Sequence, residues 1–476
     1  MDRRLVIGCF LLSSLLAIFV AHLSGQVAAP PAPAAGAQGA AEPPAEPTTE
    51  KILWDFEGPP WKWKEEEKEV AVEANEHAHG KQWLRITMFH GFSRGMRYTF
   101  QPQDWSAYRA FRFFAWNPGE EDALLSVRFD DAESNDKYAL RYNLNDEVRV
   151  KPGANEVEIT LASLRLGTQG SRGLDLKSIV IFAPFFITPP KPVTVCLDDV
   201  RLVPRGKTEG DELLLADFDG RGTAKWRNWR ASTFQVEERP DGVDGAALAV
   251  NFPAGQQYPG VELFGMEGNW LNYDMLCMDV LCPEDRATPR HIFFNVKGSD
   301  GTQAWLCTGL EKGLNHLRAP LELAGFASLG RVSELDVFTD FAAEKEETVF
   351  LDNVRLERRA GYVVGEPVHR DGVVGRIRVD LRELAPDDEN ASFGAVAWVP
   401  LATGGVRSVH CTAPPGAEVE YGIGTDSLVG MKANSPVEVW GYIRAKNCLY
   451  WTHDEATPKG EEPVTVNFDD LVRFGY

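Results

Sequence analysis

The sequence predicts an all-β protein: two tandem β-sandwiches followed by a smaller β-rich region. Three observations lead there. One strand-like stretch is used twice, Val195–Leu202 and Val349–Leu356, with aliphatic and β-branched residues alternating with polar ones at period two. Each copy has a matching opening upstream, Asp55-Phe56-Glu57-Gly58 and Asp217-Phe218-Asp219-Gly220. Between opening and close lie short aromatic or β-branched runs cut by Asn, Pro, Gly and Asp, and no long helical period competes with them.

Taken in order, the chain starts with Arg3 and Arg4 before an uncharged run, Leu5–Ala21, the layout of a signal peptide over residues 1–29 with a cut after Ala29. The alternative is an uncleaved N-terminal anchor, since the run reaches the low end of bilayer-spanning length. Either way the expected location is periplasmic, cell-surface or extracellular. Residues 30–50 are mostly Ala, Pro, Gly and Glu; such a stretch cannot bury a core and reads as a disordered tether. Residues 51–204 and 211–358 are the two copies, in which Trp105 matches Trp270, Pro118 matches Pro283, Asn155 matches Asn315 and Asp198 matches Asp352 at a nearly constant interval. The interval is far longer than a solenoid or propeller repeat, so these are duplicated domains. Alternation continues through 359–476 in Val374–Leu381, Phe393–Val399, Val437–Ile443 and Val464–Phe468, a third and smaller sandwich-like domain.

Composition narrows the partners. With 49 Lys and Arg against 70 Asp and Glu, the formal charge is −21, the wrong sign for displacing counterions from a nucleic-acid backbone. An acidic chain with 13 Trp suits neutral sugars or divalent cations. Of seven cysteines, Cys9 leaves with the signal and Cys196 sits at an inward strand position; Cys411 and Cys448 are the most natural disulfide pair. No CxxC pair is present to indicate zinc or redox chemistry.

The repeated acidic residues have one reading in common. If first and last strands are neighbours, Asp55, Glu57 and Asp198 in the first copy, and Asp217, Asp219 and Asp352 in the second, bring hard oxygen donors together and suit a structural Ca²⁺. The alternative is that they are strand-end turn residues or partners of Arg201 and Arg355. The acidic openings, the Trp before a long central strand, the Gly and Asn before a buried edge strand, and the Leu-Asp-Asp/Asn-Val endings resemble the galactose-binding-like jelly rolls of bacterial carbohydrate-binding modules. The resemblance covers both copies and stops at Arg359. It implies jelly-roll sandwiches, a glycan partner and a structural calcium.

Period-two phasing then selects a face for sugar. Phe111, Phe113, Val127, Phe129, Leu140 and Tyr142 share the core phase of the first copy. The opposite phase carries Arg112, Phe114, Trp116, Ser126, Arg128, Asp130, Arg141 and Asn143, polar groups with two interleaved aromatics. In the second copy the same phase gives Asp279, Phe293, Asn295, Lys297, Gln303 and Trp305. Trp61, Trp63, Trp226 and Trp229 read as sandwich-end plugs first and as a second platform only after that. His77 and His79 read as two surface histidines. No GxSxG, HExxH or phosphate-cradling glycine loop appears, and the expected function is non-catalytic glycan binding. Its rivals are a structural or adhesion role at the cell surface and a polysaccharide hydrolase or lyase.

Overall fold

The computed structural model describes residues 47–457, apart from short loop segments and the stretches 366–376, 380–391, 414–418 and 422–430. The signal-like segment, most of the tether, Leu140, Arg141 and the Val464–Phe468 run lie outside the described residues, as do the side chains of Trp61, Trp63, Tyr142 and Asn143. Among the described residues no helix is long and apolar enough to cross a membrane.

The protein is all-β, with each copy a sandwich of two antiparallel sheets. In the first, the closing strand Val193–Pro204 runs between Tyr108–Asn117 and Gln82–Met88, and the opening strand Lys51–Trp54 pairs with it, Lys51 opposite Leu202. This sheet, the closing sheet, is faced by a second one centred on Ile179–Phe186 and Ala123–Asp131. Trp105, Phe111, Phe113, Phe129 and Phe182 fill the space between, all at most 1% exposed, with Trp105 stacked on Phe111 at 5.4 Å. The second copy repeats the plan. Glu347–Glu357 runs between Ala246–Phe252 and Met275–Cys282, and the opening strand Glu212–Ala216 joins it with Glu212 opposite Glu357. Trp270 is as buried as Trp105. Asn155 and Asn315 close the same turn, each carboxamide oxygen accepting the backbone N–H four residues before it at 2.9 Å.

The repeated Asp-Asp/Asn pair has a local cause. Asp199 and Asn353 have φ of 47° and 51°, a left-handed conformation that Asp and Asn tolerate best among residues with a side chain. The register slips just there, between Asp198 and Arg201 in one copy and opposite Cys277 and Asp279 in the other. Each preceding aspartate accepts the next N–H, at 2.7 Å in Asp198 and 2.8 Å in Asp352. The motif is a β-bulge that bends the closing strand.

The C-terminal strands hydrogen-bond into the second sandwich, a connection that local alternation cannot disclose. Cys448–Ala456 adds in parallel to Gln303–Gly309, and Val437–Ala445, Ser392–Pro400, Val406–Ala413 and Tyr362–Val364 follow, giving a ten-stranded facing sheet among the described residues. This order corrects the expected Cys411–Cys448 pair. Two strands separate theirs, so the backbones lie about 14 Å apart at roughly 4.8 Å per gap, beyond the roughly 7 Å a disulfide can bridge. Cys196 is buried, and burial pushes its thiol up to about 12, as a small core hydrophobe.

Candidate functional site

The strongest site is on the outer surface of the second sandwich's facing sheet. Five neighbouring strands supply it: Trp226–Trp229, Gly260–Gly268, Val332–Phe338, His291–Gly298 and Gln303–Gly309. Their registers set two parallel rows across the strands. One runs Trp229, Gly260, Phe338, Phe293; the next runs Arg227, Glu262, Asp336, Asn295, Trp305. Alternation sends both rows outward, away from Leu263, Leu335, Val337 and Phe294 in the core.

The aromatic row is built on buried rings. Phe338 is fully buried and stacks on Phe293 at 5.2 Å, while Trp229 and Trp305 each stand edge-on to it at 5.4 Å and Tyr258 at 6.4 Å. Trp229 and Trp305 are half-buried, Tyr258 is exposed, and Arg230 lies over the rings of both Trp229 and Tyr258. Gly260 makes the Trp229–Phe338 contact possible, because a Cβ there would sit 2.5 Å from the Cβ of Phe338 and 2.6 Å from the carbonyl oxygen of Val337.

The polar row is dense and incompletely satisfied. Carboxylate oxygens of Glu262, Glu334 and Asp336 lie within 4.8 Å of one another. The Lys297 ammonium bonds to Glu334 and sits 2.7 Å from Asp336, and Arg227 bridges Glu262 and Glu334. Asn295 donates to Asp336 at 3.2 Å and to Gln303 at 3.3 Å. Asn295 and Asp336 are both 1% exposed, yet Oδ1 of each has no hydrogen-bond partner. Both oxygens are shielded from solvent, so each is a buried acceptor that lacks a donor. Burial pushes the Asp336 carboxyl up to about 7 against the pull of Lys297. Burial also raises Glu334, but Lys297, the hydrogen bond with Asp336 and Arg227 hold it lower overall.

Asn295, Lys297, Gln303 and Trp305 are thus brought together as the sequence predicts. Trp229, Tyr258, Glu262, Glu334, Asp336 and Phe338 were missed. The alternation of Val332–Phe338 puts Glu334, Asp336 and Phe338 on the outward face, and Trp229, which reads as an end plug in the sequence, stands on that face too. Its neighbour Trp226 is one, buried 5.9 Å from Phe218.

The remaining predicted site residues are corrected, because alternation separates inside from outside and says nothing about which sheet a strand enters. Asp279 lies on the closing sheet, 2.7 Å from His316, in a separate cleft of about 350 Å³ with Arg318 and Arg355. In the first sandwich, Arg112, Phe114 and Trp116 are on the closing sheet and Arg128, Asp130 and Asn143 are on the facing sheet, so they form no common face. Arg112 is tied to Glu158 at 2.7 Å, Phe114 is buried under His79, and His77 stacks on half-buried Trp116 at 4.1 Å. Asp130 is buried against Arg128. Where Asp336 stands opposite Asn295, the first sandwich has Ala183 opposite Arg128.

The strand-end acidic residues engage backbone N–H groups. Glu57 accepts from Lys81 and Gln82, the latter at 3.2 Å, and Asp198 accepts from His79 at 2.8 Å, which ties the opening loop to the closing strand. Asp55 and Asp217 cap their own turns at 3.2 Å, and Asp219 accepts from Ala246 at 2.9 Å. Asp352 is 2.9 Å from the Arg239 guanidinium, which supplies positive charge at that position. Among the described residues, the groups of three acidic or histidine ligand atoms within 4.8 Å are Glu262–Glu334–Asp336 and Glu438–His453–Glu455; neither contains a strand-end aspartate. Burial pushes Asp198 up to about 6, against hydrogen bonds from His79 and Gly80.

No family model matches the chain, and no curated protein does. Among solved structures it is similar to a family 11 carbohydrate-binding module from Clostridium thermocellum in complex with a β-1,3-1,4-mixed-linked tetrasaccharide, at 15% identity over 32% of this chain and 98% of that one, TM-score 0.26. A tandem pair of family 22 modules from Paenibacillus barcinonensis matches at 15% identity over 66% of this chain and 99% of that one, TM-score 0.23. An exo-β-agarase matches at 14% identity, TM-score 0.28, over 35% of this chain and about a quarter of the agarase, 26%. Overlaps of this extent transfer neither a ligand nor a residue role to this chain.

Proposed function

We propose that the protein is an exported, non-catalytic glycan-binding protein and that the second sandwich's facing sheet is its binding surface. The observation that carries this is the pairing of Trp229, Tyr258 and Trp305 with the orphan acceptors of Asn295 and Asp336. Pyranose rings offer an apolar face to aromatics and hydroxyl donors to buried acceptors, so one ligand class answers both demands. Native affinity electrophoresis of the full chain through gels holding soluble β-glucan, xyloglucan, arabinoxylan or agarose tests it. Retardation by at least one is expected, and none would leave a structural or adhesion role at the cell surface.

The carboxylates of this face are engaged by cations, Glu262 and Glu334 by Arg227, and Glu334 and Asp336 by Lys297, which suits a binding role. No reducing ends should be released from the same polysaccharides.

A ligand hydroxyl donated to the Asp336 carboxylate favours its charged form. Binding is therefore expected to be weaker at mildly acidic pH and to tighten as pH rises through about 7. Titration calorimetry between about pH 5.5 and 8.5 measures this, and Asp336→Asn should flatten the profile.

A structural calcium at Asp55, Glu57 and Asp198 is part of the same proposal, with oxygen donors of the right kind. Arg239 already occupies Asp352, so any response belongs to the first sandwich. The expected result is a lower melting temperature in EGTA that Asp198→Ala removes; an unchanged melting temperature would leave these carboxylates as acceptors of backbone N–H groups alone.

A further inference from the structure

The aromatic row does not stop at the second sandwich. Cys307 lies opposite Tyr450 in the parallel pair with the C-terminal strand Cys448–Ala456, which places Tyr450 in line with Trp229, Phe338 and Phe293. Its ring stands edge-on to Phe293, 6.4 Å away at 83°, and is partly exposed. Past this strand the residue opposite Tyr450 is aliphatic, Ile443, 4% exposed. Between Trp229 and Tyr450 the row is built on Phe338, Phe293 and Cys307, which are 0%, 6% and 0% exposed, and its half-buried rings stand at its two ends. From Trp226–Trp229 to Cys448–Ala456 it crosses six strands, about 24 Å at roughly 4.8 Å per gap.

We propose that the C-terminal region is part of the recognition surface: Tyr450 forms the far end of an aromatic row that begins at Trp229 and Tyr258 and takes an internal segment of a linear, uncharged polysaccharide laid across the strands. This rests on the glycan-binding reading and extends it. The length of the row favours a run of several sugar rings over a single terminal sugar. Glu262, Glu334 and Asp336 are already matched by Arg227 and Lys297, which leaves no unpaired cation among them for a polyuronate or sulfated glycan and favours an uncharged chain.

The test uses the full chain and the polysaccharide that retards it most, with the purified oligosaccharide series of that polymer. Tyr450→Ala is expected to weaken binding of long oligomers about tenfold, to leave the shortest binding oligomer unaffected, and to be rescued by Tyr450→Phe, which keeps the ring. If Trp305→Ala weakens binding and Tyr450→Ala does not at any length, this inference falls and the glycan-binding site stands. If no polysaccharide retards the wild-type chain, or Trp305→Ala leaves retardation unchanged, both fall. Equal loss in Tyr450→Phe and Tyr450→Ala also overturns the inference, because it places the effect on the hydroxyl and not on the platform.

Discussion

Trp305→Ala is expected to weaken polysaccharide binding by about 2 kcal/mol or more, roughly thirtyfold, with the fold intact. The residue is half-buried at the rim, so truncation removes a face that ligand would cover and opens no core cavity. Its ring also stands edge-on to Phe338, 5.4 Å away, and holds the wall upright beside Asn295. Phe and Tyr at this position should recover part of the loss and Leu little, because stacking against a sugar depends on a flat ring. Trp116→Ala is the matched control. His77 already covers its ring at 4.1 Å, and its strand belongs to another sheet of the other sandwich, so its truncation should leave retardation unchanged. Affinity electrophoresis of the two variants side by side distinguishes a built site from a general effect of losing tryptophan.

The second large effect is on stability. Glu322 is buried where three parts of the chain meet: it receives Arg165 from the short helix Leu161–Leu166 of the first sandwich, and Tyr362 and Ser408 from the C-terminal region, Ser408 at 2.6 Å, with His410 at 3.2 Å. Burial alone would raise its pKa, yet Arg165 and His410 together hold the carboxyl well below the usual carboxylate range. Removing it strands the Arg165 guanidinium, itself 4% exposed. Glu322→Ala is expected to cost about 3–5 kcal/mol, the penalty for breaking a buried pair from one side, and calorimetry should register it as a melting point several degrees lower. Because the folded pKa is depressed, the contribution is fully present above the ordinary value of 4.5 and is lost as pH falls toward the folded value. The gap in melting temperature between wild type and Glu322→Gln should therefore be widest near neutrality and narrow on acidification.

Much of this architecture was legible. The duplicated closing strand, the pairing of opening with closing strand and the buried Trp105 and Trp270 follow from motifs whose cause is local, and the Asp199 and Asn353 bulge explains why that stretch recurs. The inward phase was also correct for Phe111, Phe113, Val127 and Phe129. What could not be seen is which strands become neighbours. Arg112 and Arg128 share a phase but stand on different sheets, and Asn295 meets Asp336 only through pairing of strands that are distant in sequence. The strongest half of the site comes from Val332–Phe338, whose partners are distant in sequence, and from Trp229, whose place depends on Gly260 leaving room beside it.

The parallel join between Gln303–Gly309 and Cys448–Ala456 bears on solubility as well. Without it, Gln303–Gly309 would be a free sheet edge with unpaired N–H and C=O groups, next to the apolar surfaces of Ala304 and Leu306 that the C-terminal strands help to cover. Bare edges of that kind recruit strands from other molecules. A chain cut after Arg359 should accordingly be prone to edge-to-edge self-association, so trimming the protein to its two recognisable sandwiches would expose an edge that the full chain keeps paired.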